Sequence, residues 1–150
     1  MMIRRPFLLI AVAALPACGM LDATPDGGLL TFEVREVNWD PPTPRIVLFV
    51  SDEKTYPCFN YLIENELSIQ DHAIRVTMSG DVKAPSVCLT AIGPAQIRTP
   101  LSIAEGTYAL DFVRGGVSDR YALTVTASAI QIRPIEAHFT RPTALRFPRA

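Results

Sequence analysis

Residues 107–113 read TYALDFV, and residues 119–126 read DRYALTVT. In the first run Tyr108, Leu110 and Phe112 fall two apart. In the second, Tyr121, Leu123 and Val125 do the same. A period of two puts alternate side chains on one face, the mark of a half-buried strand. Between the runs stands Arg114-Gly115-Gly116. Paired glycines supply the positive φ angles of a tight hairpin, so the stretch predicts two antiparallel strands and their turn.

The same period extends outward in both directions. Leu30, Phe32 and Val34 alternate with Thr31, Glu33 and Arg35, and the proline-rich Asp40–Pro44 stops them. Arg45–Val50 (RIVLFV) is nearly all apolar, as a central strand would be. Residues 59–69 fit either one strand interrupted at Glu64-Asn65-Glu66 or a short helical segment. Ala73–Met78 alternates again. Val87–Ile92 is a further candidate strand, stopped by Gly93-Pro94. Gln96–Ile103 contains Pro100, which removes a ladder donor and points to an edge or bent strand. Ala129–Ile132 is the last run in phase. With 13 Pro and 8 Gly in 150 residues, a long helical bundle is excluded. Hydrophobic residues at 49% against 19% charged exclude wholesale disorder. Roughly eight strands in one domain-sized chain predict a sandwich or barrel.

Residues 101–110, LSIAEGTYAL, carry a Tyr just after a Gly-containing turn. This resembles the tyrosine corner of immunoglobulin-like and fibronectin-type domains, where the ring packs on the core and the hydroxyl bonds nearby backbone. The resemblance implies an all-β fold: a single Ig-like β-sandwich of about 7–8 strands over residues 29–150. Leu110 stands where antibody-type domains carry Cys, and Trp39 lies outside the Cys58–Cys88 interval.

The amino terminus reads as an address. Arg4-Arg5 precede eleven uncharged residues, Phe7–Ala17, a run too short for a bilayer span of about 20 residues. Leu15-Pro16-Ala17-Cys18 resembles the lipobox of bacterial lipoproteins, with Pro16 at a position that usually holds a small residue. The resemblance implies a cleaved signal peptide over residues 1–17, a diacylglycerol on Cys18 and a flexible tether over residues 18–28. It also implies an exported protein held at the cell envelope. Gly19 rather than Asp after the cysteine implies outer-membrane delivery in a Gram-negative host. Two or more acyl chains give stable attachment, at about 0.8 kcal/mol per buried CH₂. Export places Cys58 and Cys88 in an oxidising compartment, where they form the one remaining pair.

Charge and motifs exclude several functions. The chain has 14 basic and 15 acidic side chains. Without Arg4 and Arg5 the balance is 12 to 15, a net −3, which leaves no footprint for nucleic acid. Nucleophile-elbow, zinc-protease, P-loop and dinucleotide motifs are missing. His72 and His138 read as surface or turn residues, and Glu64 and Glu66 as a solvated strand face. The expectation is therefore no catalytic residue, no metal and no cofactor.

Two surface features remain. Trp39 beside the proline-rich loop could dock a partner. So could the basic carboxy-terminal segment with Arg141, Arg146 and Arg149, for which the plainer reading is a final edge strand over residues 143–147. The chain thus reads as a non-catalytic binding or assembly module with an envelope protein or polysaccharide as partner. The alternatives are an enzyme inhibitor presenting a disulfide-held loop over residues 79–87, or a small carbohydrate-binding or hydrolytic domain.

Overall fold

The computed structural model describes residues 27–38 and 45–149. Within them the chain is all-β. The strands are β1 Leu30–Val37, β2 Arg45–Asp52, β3 Leu62–Gln70, β4 Ala73–Lys83 and β5 Gln96–Leu101. After these come β6 Gly106–Arg114, β7 Val117–Val125, β8 Ala129–Glu136, β9 Thr140–Pro142 and β10 Arg146–Pro148. They form one curled sheet in the order β10-β8-β7-β6-β4-β3-β5-β2-β1-β9. The expected seven or eight strands become ten because the carboxy-terminal segment contributes two three-residue strands.

The sheet has a weak point in its middle. β3 meets β5 through the single parallel pair Leu62↔Gln96. On one side of it lie β5, β2, β1 and β9; on the other lie β3, β4, β6, β7, β8 and β10. The two halves curl to face each other. Phe32 of β1 packs its ring 4.7 Å from Phe112 and 4.9 Å from Tyr121. Such tilted and edge-on pairs stabilise by about 0.5–1.5 kcal/mol beyond the area they bury. Leu48, Val50, Ile74, Val76, Leu110 and Leu123 complete the centre, all in the inward phase of their strands.

Residues 139–149 lace the two edges together. Phe139 accepts from Leu30 N, and Phe32 accepts from Thr143 N, so the segment pairs with β1. It then crosses to β8: Ile132 N donates to Leu145 O, and Arg149 N reaches Ser128 O at its end. One short stretch thereby covers both edges of the sheet, which would otherwise display open ladders.

Local chemistry explains the turns. The hairpin from Arg114 to Val117 has a two-residue loop, with Gly115 at φ 57° and Gly116 at φ 80°. Both values belong to the left-handed region that an ordinary side chain rarely adopts. Asp71, at φ 52°, is the residue that turns β3 into β4. The ambiguous run 59–69 is a strand from Leu62 onward, with a register shift between Ile63 and Asn65. Pro100 sits where β5 has left its one contact with β3, so its missing N–H leaves no partner wanting on that side.

Val87–Ile92 forms no strand. It lies in the irregular connection between β4 and β5, where the disulfide and Asn60 hold it instead of a neighbouring ladder. The tyrosine corner is present: Tyr108 Oη donates to Ala104 O at 3.0 Å across the turn into β6. Tyr108→Phe should lower the unfolding free energy by about 1 kcal/mol, read by urea denaturation. An unchanged midpoint would mean that the hydroxyl is as well served by water.

Candidate functional site

The phase of β6 and β7 carries two charged groups into the interior. Arg114 continues the inward series Tyr108, Leu110, Phe112, and Asp119 precedes Tyr121, Leu123, Val125. Both stand at the end of the sheet where the described chain begins. Asp119 is fully buried and accepts four hydrogen bonds. They come from His138 N at 2.7 Å, Phe139 N at 2.9 Å, Thr140 N at 2.6 Å and Thr140 Oγ1 at 2.6 Å. Tyr121 Oη adds a bond to Thr140 O at 2.8 Å. Burial raises the Tyr121 phenol pKa, and the bond to Thr140 opposes it.

Arg114 lies 4.4 Å above the Phe139 ring and donates from Nη2 to Gly28 O at 2.6 Å. Burial lowers its pKa, while the charge of Asp119 acts in the opposite sense. The pair is thus turned inward on backbone, holding the segment 138–140 and the chain entry at Gly28. The cavity beside Arg114, between Leu30, Tyr56 and Met78, is about 30 Å³, room for about one water. That is no substrate cleft.

The neighbouring loops are pinned rather than free. Asp52 accepts from Tyr56 Oη at 2.9 Å and from Ala95 N at 3.0 Å. Tyr56 stacks on Tyr61 with ring centres 4.6 Å apart. Slight desolvation, then the Asp52 bond, raises the Tyr56 phenol pKa. Cys58 and Cys88 form a disulfide, with Cα atoms 5.3 Å apart. Asn60 bonds Val87 O at 2.7 Å and accepts from Leu89 N at 3.2 Å.

A second cluster occupies the outer face of β9, β1, β2 and β5. Register places Glu33, Phe49 and Arg98 in one row across three strands. The Arg35 guanidinium lies 4.4 Å from the Phe49 ring centre and that of Arg98 5.3 Å, an arrangement in which cations meet the negative face of the ring. Arg35 also pairs with Glu33 at 2.7 Å. A cleft of about 310 Å³ opens here, bordered by Thr31, Ser51, Gln96 and Thr143. Arg141 pairs with Thr31 and is exposed on the same side, as is Arg45 at the start of β2. Four arginines therefore share a face with one glutamate, in a chain that is net acidic. Arginine and aromatic side chains are the groups most enriched at the centres of interfaces.

The residues singled out from sequence fall in different places. Cys18 and Trp39 lie outside the described residues. Arg141 joins the Phe49 face, and Arg146 is exposed on β10. Arg149 is occupied at the opposite end of the sheet, bonding Glu36 at 2.7 Å and Thr126 O at 2.6 Å. Glu64 and Glu66 are exposed together on β3. His72 packs its ring 5.2 Å from Tyr108, at the far end from His138. His138 reaches Glu136 Oε1 at 3.1 Å. Glu136 is solvated, and its pKa is lowered first by the 2.6 Å bond from Arg120, then by His138. What it adds to stability is present above the ordinary carboxylate pKa and fades as pH falls through the lowered one. Among the described residues no three His, Cys, Asp or Glu side chains gather as a metal would require.

Asp119, Arg114 and the Phe49 row were not anticipated. The first two had a signal: each extends an apolar series of period two by one more step, and so predicts its own burial. The Phe49 row had none, because it depends on which strands become neighbours. No family model, no curated protein and no solved structure matches this chain.

Proposed function

We propose that this chain is an exported, lipid-anchored, non-catalytic binding or assembly module of the cell envelope. The observation that carries the reading is Leu15-Pro16-Ala17-Cys18 behind Arg4-Arg5 and an apolar run. The Cys58–Cys88 pair supports it, since structural disulfides persist in oxidising compartments. The contact surface proposed is the Phe49 face, with Arg35 and Arg141 offered to a partner rich in carboxylates or phosphates, a protein or an acidic polysaccharide. On architecture we carry the immunoglobulin-like sandwich as the finer reading. The facing halves and the Tyr108 corner support it, and the Leu62↔Gln96 pair is then an added stitch between two sheets.

Anchoring is tested by fractionation. Cys18→Ala should move the protein out of the membrane fraction, and unchanged retention would remove the lipid from the proposal. The partner is tested by crosslinking the anchored chain in its own cells and solubilising in detergent, with Phe49→Ala beside it. A partner enriched by the parent and lost several-fold by Phe49→Ala supports the module. Equal recovery by both would move the contact surface off the Phe49 face.

A further inference from the structure

The end of the sheet where the described chain begins is also its most apolar end. β1 starts there at Leu30, β2 finishes there at Asp52, and β4 and β6 finish there at Lys83 and Arg114. Gly27 and Gly28 are held at this end by Arg114: a Cβ on Gly27 would meet Arg114 Nη1 at 3.0 Å. Gly27 lies nine Cα–Cα steps beyond Cys18, a reach of at most about 30 Å. The loops beside this exit point carry Phe59, Leu62, Val87, Leu89 and Ile92, all exposed, with Val87 at 69% and Ile92 at 75%. Five of the seven large exposed hydrophobic side chains among the described residues gather there; the others are Ile135 and Leu145.

These loops are fixed in place. The disulfide joins them, Asn60 bonds both sides of Cys88, and Tyr56 and Gly93 exchange backbone hydrogen bonds. Gly93 packs so closely on Phe59 that an added Cβ would lie 3.0 Å from the Phe59 Cβ. A rigid apolar surface loses little conformational freedom on binding. Nearby charges balance, Lys54 and Lys83 against Glu53 and Asp81, so attraction to a surface would come from apolar insertion rather than from charge.

We propose that residues 58–62 and 87–92 form an apolar footing that inserts into the interface of the bilayer carrying the Cys18 lipid. This rests on the anchoring reading above. The tether is too short to carry the domain far from the bilayer, and it leaves from the face that has the apolar side chains. The footing would stand the sheet upright and hold the Phe49 face sideways, clear of the lipid.

The test uses the full anchored chain in phosphatidylcholine vesicles, with Trp39, its only tryptophan, changed to Phe and a single Trp placed by Ile92→Trp. The control is Ala127→Trp, in the exposed turn at the opposite end. Vesicles with brominated acyl chains should quench the Ile92→Trp emission several-fold and leave Ala127→Trp unchanged. Should Trp39→Phe unfold the chain, the same reading is taken as a difference against the parent that retains Trp39. Raising the anionic lipid fraction should change the quenching little. Flotation of Cys18→Ala beside the parent reports on the anchor separately. Floated protein with Ile92→Trp unquenched overturns the footing and leaves the anchor standing. A parent chain that does not float overturns both.

Discussion

Asp119→Ala is expected to lower the unfolding free energy by about 3–5 kcal/mol, as when a buried charge network loses one partner. Three backbone N–H groups and the Thr140 hydroxyl lose their acceptor together. Phe139 and Thr140 are buried with Asp119, so water has little room to substitute. Each orphaned buried donor costs about 1–3 kcal/mol, and relaxation of the 138–140 segment recovers part of the sum. Natural domains hold only about 5–15 kcal/mol in total, so the variant should sit close to unfolding at ambient temperature. Asp119→Asn keeps the shape but faces an amide donor toward other donors, and should fall between the two. Urea denaturation measures both. A loss below about 1 kcal/mol for Asp119→Ala would show that the segment is held by Phe139 packing instead.

The second large effect belongs to the disulfide. Its cysteines are 30 residues apart, a loop for which chain entropy gives about 3–4 kcal/mol. Cys58→Ser with Cys88→Ser should lose an amount of that order. The site makes the loss local as well as global. The disulfide ties loops flanking β3 and β5, where the halves of the sheet share one residue pair and the bond from Gln96 N to Tyr61 O. Hydrogen exchange at Gln96 should therefore accelerate before exchange in β6 or β7. Thiol labelling of the native chain should leave Cys58 and Cys88 unmodified. Labelling without reductant, or a double variant of parental stability, would contradict the staple.

How much of this could be read from sequence follows from the range of each interaction. β2, β6, β7 and the glycine hairpin were legible because alternation and turn chemistry act within a few residues. The pairing of Cys58 with Cys88 was legible because the lipobox resemblance sets Cys18 aside and leaves one pairing open among the three cysteines. Val87–Ile92 misled because its apolar content met the criterion for a strand, while no neighbouring strand lies beside it. β9 has only three residues and so no period to detect, whereas β10 overlaps the final edge strand that residues 143–147 offer. Their existence depends on pairing with β1 and β8, whose partner residues lie 110 and 15–19 positions away respectively. Arg149, which the sequence offers as one of several possible partner contacts, is bonded to Glu36, a carboxylate with only 5% of its side chain exposed. Nothing in the spacing of residues 36 and 149 could show that.

The lacing of both sheet edges by residues 139–149 has a consequence for the order of events. A chain made from its amino end has β1 and β8 in hand before it has the segment that covers them. Until that segment emerges, both edges are bare and the Phe32 carbonyl lacks the Thr143 N–H that it accepts from. Contacts spanning so much of the chain close slowly, because loop entropy must be lost before they form. The nascent domain therefore reaches its locked state only after synthesis of its last strands.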